Sequence, residues 1–385
     1  DTRDDSQLWG ERLVRSAGEV IFLERSIVES IKDGLVLKVS EASALSRASG
    51  GTDDPQAYEH YLRGHYLIQS TNFEDIYQGI DELRVAVKRD PRFALAQSDI
   101  ADALSQMISY GIQRDEALLL EAQRAAYSAV RLAPELPEAQ TALATMLQYI
   151  DIDWDKAEQA YAAAIALNPQ SPVPYHRFAD FLSLTLQSER AMQMSRKALA
   201  IDSLDSSSMH ALGIAAMMHS DFETAARITS DWNRFHPNSR WSYVKNGLML
   251  ALNKQCDESL AQLHKVEELV GSQPPTLMDS WIEWSYYLCG ADEDRARSKA
   301  RIEAALRADP DSLEPGFAYH FAIEGDTEAF LAIAERVVAE RSPLTLYVLV
   351  FSVPHLGLPV TEALLSNSRY QAILENAGLL KFRLN

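Results

Sequence analysis

Residues 137–169 read PEAQTALATMLQYIDIDWDKAEQAYAAAIALNP, and this stretch decides the fold. Its apolar residues recur at helical spacing in two blocks, PEAQTALATMLQYI and DKAEQAYAAAIAL, separated by a short polar turn. A proline at 169 ends the second block, where a helix cannot continue. Alanines stand at 144 in the first block and at 157 and 164 in the second, positions at which two paired helices must approach closely. One such hairpin is weak evidence, because many helical bundles contain alanine-rich pairs.

The pattern repeats on both sides. Helix-ending segments recur as AVKRDP to Pro91, AVRLAP to Pro134, AIALNP to Pro169, ALAIDS to Ser203, NRFHP to Pro237 and ALRADP to Pro310, with a weaker stop, LVG, at Gly271. Successive stops lie 43, 35, 34, 34, 34 and 39 residues apart. Small residues keep the same register: Gly64, Ala101, Ala144, Ala179, Gly213 and Gly247 on first helices, and Gly79, Ala122, Ala157, Ala191, Ala225, Ser259 and Ser298 early on second helices. Trp232 and Val266 break the later small position, and Tyr286 breaks it on the last first helix, so irregular packing is expected there.

Small–large–small patterning at a period near 34, with proline after the second helix, resembles the tetratricopeptide repeat. The expected fold is all-α: a right-handed α-solenoid of helix-turn-helix repeats, seven of them over residues 55–310, with capping helices at both ends. Residues 1–54 are expected to hold a short strand, Leu8–Leu13, and a helix, Ala17–Leu35. Residues 311–385 are expected to hold C-terminal capping helices.

The ends carry a second resemblance. LWGERL at 8–13, the helix AGEVIFLERSIVESIKDGL, the entry Asp53-Asp54-Pro55-Gln56-Ala57-Tyr58 with Tyr61-Leu62-Arg63-Gly64, and the turn Asp153-Trp154-Asp155 resemble a bacterial family in which a TolB-like module runs into such an array. The tail segments AFLAIAERVVAERSP and LLSNSRYQAILENAGL fit the same family. The resemblance implies a remnant of the TolB-like module at 1–54 and a natural C-terminus. It also implies the interaction region of a winged-helix regulator, a class III cyclase or a kinase-type protein, whose output domain precedes Asp1.

Composition narrows function further. The 385 residues carry 36 Lys and Arg against 55 Asp and Glu, a net charge of −19, which disfavours nucleic acid or an anionic membrane as a direct partner. The strongest apolar run, Leu344–Val353, is about half a bilayer crossing and stops at Pro354. The sequence opens at Asp1 in polar residues without a leader, which suggests a missing upstream part. The two cysteines, Cys256 and Cys289, give no disulfide framework and read as partly buried thiols; because both fall near hairpin loops of neighbouring repeats, a bond between them is the lesser alternative. Few cysteines and no leader favour the cytoplasm; an upstream membrane anchor would place the region in the periplasm.

No phosphate-cradling glycine loop, nucleophile elbow or zinc-spaced Cys and His pair is present, so neither an enzyme nor a cofactor or metal is expected. The register instead outlines a concave groove. Its polar part holds Ser98, Asp102, Thr141, Thr145, Gln148, His176 and Asp180, with His210 equivalent to His176 one repeat on; its apolar part holds Ile214, Met217, Met218, Trp241, Val244, Leu248 and Leu252. The two histidines could form a metal or proton-sensing pair, or His176 could meet Asp180 one turn away; polar groove lining is the plainer reading. A polar-to-apolar gradient suits a peptide or protein segment with apolar anchors. The other account is structural: self-association, with the groove filled by the chain's own tail or another subunit. The groove lacks the Lys, Arg and Asn with which some tetratricopeptide domains grip a terminal carboxylate of acidic chaperone tails.

Overall fold

The computed structural model describes residues 50–70, 73–109, 115–235, 237, 239–269, 276–349, 356 and 358–379. The expected strand at 8–13, the capping helix at 17–35 and the stop at Gly271 lie outside the described residues. Among the described residues every regular element is helical.

The helices run as consecutive hairpins: α1 (Pro55–Leu67) with α2 (Phe73–Arg89), α3 (Ala94–Ser109) with α4 (Glu116–Leu132), α5 (Pro137–Met146) with α6 (Trp154–Leu167), and α7 (Pro172–Leu184) with α8 (Ser188–Ile201). They continue as α9 (Ser206–Met218) with α10 (Phe222–Phe235), α11 (Arg240–Leu252) with α12 (Cys256–Glu268), and α13 (Thr276–Cys289) with α14 (Asp292–Ala308). Past Pro310, α15 (Pro315–Glu324) and α16 (Thr327–Ala339) form a further hairpin stacked on α13, followed by the short α17 (Thr345–Leu349), α18 (Thr361–Leu365) and α19 (Ser368–Asn376). The fold is an all-α solenoid of tetratricopeptide-type helix-turn-helix units.

The small residues do what the pattern requires. A Cβ placed on Gly64 would lie 2.6 Å from Leu83 Cγ and 2.7 Å from the carbonyl oxygen of Gly79. One on Gly247 would lie 2.8 Å from Leu263 Cδ2. Ala101, Ala122, Ala144, Ala157, Ala179, Ala191 and Ala225 are fully buried between helices. Each could be enlarged only by pushing a helix pair apart.

Helix starts are fixed by side chains. Asp54 accepts hydrogen bonds from the backbone N–H of Gln56 (2.9 Å) and Ala57 (3.1 Å), and Asp153 caps α6 through Lys156 N–H (3.2 Å). Trp154, next to that cap, is buried and donates Nε1–H to the Gln148 carbonyl at 3.2 Å, which anchors the Asp153-Trp154-Asp155 turn.

The first helix of each hairpin from the third to the eighth closes on a left-handed residue, and these recur with the repeat: Ile152 (φ 52°), Leu186 (64°), Ser220 (65°), Lys254 (62°), Gly290 (69°) and Gly325 (79°). Behind five of them, a backbone N–H bonds to the carbonyl five residues earlier, as in Asp221 to Ala216 (2.9 Å) and Gln255 to Leu250 (2.9 Å). At Ile152 the bond spans one residue more, Asp153 to Leu147 (2.9 Å), because Leu147–Asp151 winds as a π turn. That turn absorbs the one residue by which this unit exceeds 34. Only the last two positions are glycine, so the sequence hid the signal.

The structure corrects the reading of the cysteines. Cys256 at the start of α12 and Cys289 at the end of α13 form a disulfide, with Cα atoms 5.3 Å apart. The stagger of neighbouring hairpins brings the two loop positions together.

Because Ser220 is exposed and holds a conformation that costs a β-carbon residue about 1–2 kcal/mol, Ser220→Gly should stabilise the protein by about 0.5–1 kcal/mol after the added freedom of the unfolded glycine is counted. Denaturant unfolding checks this, and a lower midpoint would contradict the role given to the turn.

Candidate functional site

First helices face a common interior, and the tail closes it. The ring of Tyr347 on α17 stacks on Tyr149 with centroids 6.1 Å apart, and Arg341 Nη2 donates to the Asp151 carbonyl at 2.7 Å. The C-terminal helices therefore rest on the π turn of the third hairpin. What would be an open groove becomes a chamber of about 780 Å³, with exposed Val173 and Leu204 at its rim.

Twelve of the residues expected in the groove line this chamber: Ser98, Asp102, Thr141, Thr145, Gln148, His176, Asp180, His210, Ile214, Met217, Met218 and Trp241. Val244, Leu248 and Leu252 do not, because they are buried in the core between helices. The tail contributes Tyr347 to the wall beside Tyr149 but leaves the cavity.

The polar wall is a network. Arg177 Nη2 bonds Asp102 Oδ2 at 3.0 Å, and Gln106 Nε2 donates to the same oxygen at 2.7 Å. The other oxygen, Asp102 Oδ1, has no hydrogen-bond partner. Tyr161 donates its hydroxyl to Gln148 Oε1 at 2.8 Å, while Gln148 Nε2 has none. His176 does not meet Asp180: its Nδ1 lies 3.1 Å from Asp205 Oδ2, the carboxylate that caps α9 through Ser208 N–H at 2.8 Å. Asp205 is thereby held well below the usual carboxylate range, the hydrogen bonds from His176 and Ser208 outweighing burial. Burial lowers the basicity of both His176 and His210, the latter further beside Lys245. A proton switch near neutrality at this pair is thus disfavoured. Among the described residues no group of three or more His, Cys, Asp or Glu side chains is placed to hold a metal ion.

The apolar wall is aromatic. Trp241 meets Trp281 edge to face with centroids 6.2 Å apart, and Trp232, which breaks the small-residue pattern, also lines the chamber. Lys245 sits among them: Nζ lies 5.2 Å from the Trp232 ring, 5.4 Å from that of Trp241 and 3.1 Å from His210 Nδ1. Sequence reasoning passed over Lys245, Arg177 and Tyr347. A single lysine inside RWSYVKNGLMLAL, one turn after Trp241, was the available signal for the first; the third arrives from a distant part of the chain.

Asp180 and Lys245 carry the cost of this arrangement. Burial pushes the Asp180 carboxyl up to about 7 against the pull of Arg177 and Lys245, and burial brings the Lys245 ammonium down to about 7 against the pull of Asp180. Neither makes an ion pair within 4.0 Å among the described residues.

Comparisons with known proteins add no identity. No protein-family model matches the chain, and no curated protein does. Similar solved structures include PilF of Pseudomonas aeruginosa (18% identity, 57% of this chain and 96% of that one, TM-score 0.41). A tetratricopeptide repeat protein from Parabacteroides merdae is similar at 15% identity, 65% and 93% coverage and TM-score 0.41. Yeast Tom70 is similar at 15% identity, 94% and 78% coverage and TM-score 0.46. At such values the likeness bears on no partner or activity, and the fold rests on the helices described above.

The raised Asp180 value has a stability consequence. A carboxyl that gains affinity for its proton on folding loses stability as pH rises, here from about 4 to about 7. Asp180→Asn should therefore melt above the parent protein at pH 8, with the gap narrowing toward pH 4. Calorimetric melts at both pH values check this; a lower melting temperature at pH 8 would contradict the burial argument.

Proposed function

We propose that this chain is a non-catalytic recognition module that takes a short peptide segment or a small ligand into the chamber between its first helices. The observation that carries this is the cavity itself: about 780 Å³ within one continuous polar-to-aromatic wall, inside the range of 300–1,000 Å³ usual for ligand pockets. Tail filling, the alternative account, explains Tyr347 but not the remaining volume. Protein or peptide recognition is the general use suggested by helical-hairpin arrays, whose stacked units present an extended concave face.

The wider setting follows from the resemblance of the junction and tail segments to TolB-like regulators. On that reading the module is the sensory or interaction part of a bacterial signalling or transcription-regulating protein. Occupancy of the chamber would be passed on by a change in how neighbouring hairpins stack. No helix among the described residues is long and apolar enough to cross a membrane. The Cys256–Cys289 bond favours an oxidising compartment, the periplasmic option, over the cytoplasm expected from the cysteine count.

Two measurements test these points. A library of free amino acids, dipeptides and end-blocked hexapeptides, read by tryptophan emission, should contain binders that Trp241→Ala weakens by about tenfold or more. Leu248→Ala, in the core, should instead cost about 2–5 kcal/mol of stability. A library without any effect on emission would remove the chamber from consideration. Separately, alkylation of protein taken from its native host without reductant should leave Cys256 and Cys289 unlabelled; two labelled thiols would return the region to a reducing compartment.

A further inference from the structure

The chamber holds charged groups of both signs that lack a counter-ion, and this narrows what it accepts. On the polar side, Asp180 makes no hydrogen bond or ion pair among the described residues, and its carboxylate is open to the cavity. Asp102 Oδ1 also has no partner. On the aromatic side, Lys245 lies over two indole faces, and its polar neighbour among the described residues is a histidine of low basicity rather than a carboxylate. Asp180 and Lys245 both line the chamber and form no ion pair with each other within 4.0 Å.

Gln148 supplies an independent observation. It is 2% exposed, lines the chamber and leaves its Nε2 donor unpartnered while Tyr161 holds its Oε1 in place. Buried donors left without partners are costly, so an amide fixed this way is a site prepared for an acceptor. The set of unfilled partners thus contains acceptors for a cation, Asp180 and Asp102 Oδ1, and donors for an anion, Lys245 and Gln148 Nε2. The rings of Trp241 and Trp281 line the same chamber.

We propose that the chamber binds a small zwitterion, a free α-amino acid or a dipeptide with both ends free, whose ammonium meets Asp180 and whose carboxylate meets Lys245. An apolar or aromatic side chain would lie on the tryptophans. This rests on the reading of the chamber as a ligand site and narrows it. One end of a long polypeptide brings one terminal charge and satisfies half of the set; a small zwitterion brings both into the same cavity. Closure by the tail also favours a compact ligand over an extended segment. Once bound, the two ligand charges offset the desolvation that each protein charge suffers alone.

Titration calorimetry on the whole chain, with the twenty free L-amino acids and with Leu-Phe in free, N-acetylated, C-amidated and doubly blocked forms, tests this. Free Leu-Phe or at least one apolar amino acid should bind, and blocking either end should weaken Leu-Phe by about tenfold or more. In Asp180→Asn, N-acetylation should no longer matter while amidation still does; in Lys245→Met the dependence should reverse. Circular dichroism confirms that both variants keep their helices. If blocked Leu-Phe binds as tightly as free, through Trp241, the zwitterion is wrong and the chamber reading stands. If all amino acids and all four forms fail to bind, the zwitterion is overturned, and the end-blocked hexapeptides decide the broader reading separately.

Discussion

Every hairpin of this protein depends on how closely two helices can approach. The carbonyl oxygen of Gly79 would lie 2.7 Å from a Cβ on Gly64, so these backbones meet with no side chain between them. Elsewhere Ala144 with Ala157, or Gly247 with Ser259, does the same, and Ser259 Oγ donates to the Gly247 carbonyl at 2.8 Å. Close pairing sets the tilt of each hairpin on the next. The accumulated tilt carries the first helices around a common interior and returns the tail to the third hairpin. The chamber is therefore a product of the small residues at the hairpin seams, although none of those seam residues is needed to touch a ligand.

Where the repeat departs from its own rule, the chamber is being built. Trp232 occupies a position that is alanine in several other units, and it reaches the cavity wall beside Lys245 and His210. The third unit carries an extra residue, and the π turn that absorbs it presents Tyr149 and Asp151 to the tail. Lys245 and Asp180 hold charge away from bulk water without an ion pair, which a core selected for stability alone would replace with apolar side chains. Such departures weaken the fold locally and are the places where a regular solenoid gains chemical character.

Much of the architecture was legible because alanine, glycine and proline recur in fixed register, and register alone brought twelve expected groove residues to one chamber. It erred by a single helical step at Val244 and Leu248, which turn into the core while Lys245 beside them faces the cavity. The turns were illegible because Ile152, Leu186, Ser220 and Lys254 adopt a backbone that their residue types do not announce. The disulfide stayed the lesser reading for a related reason: positions near two loops do not give the distance between them, which depends on the stagger of hairpins. Tyr347 could not be placed at all, since a contact between residues 149 and 347 leaves no trace in local periodicity.

The tail contact changes the statistical mechanics of the array. An open solenoid behaves as a one-dimensional chain in which terminal units melt first and each unit answers only to its neighbours. Here the stacking of Tyr149 on Tyr347 and the bond from Arg341 to the Asp151 carbonyl join units far apart in sequence, adding a boundary condition that such a chain lacks. Hairpins four to eight cannot fray outward from the C-terminal side without first releasing that clasp. The intervening units are thereby tied into one cooperative arc, and small rotations within it cannot accumulate freely but must sum to keep the ends together. A change in packing at one seam is then shared by all the others around the chamber.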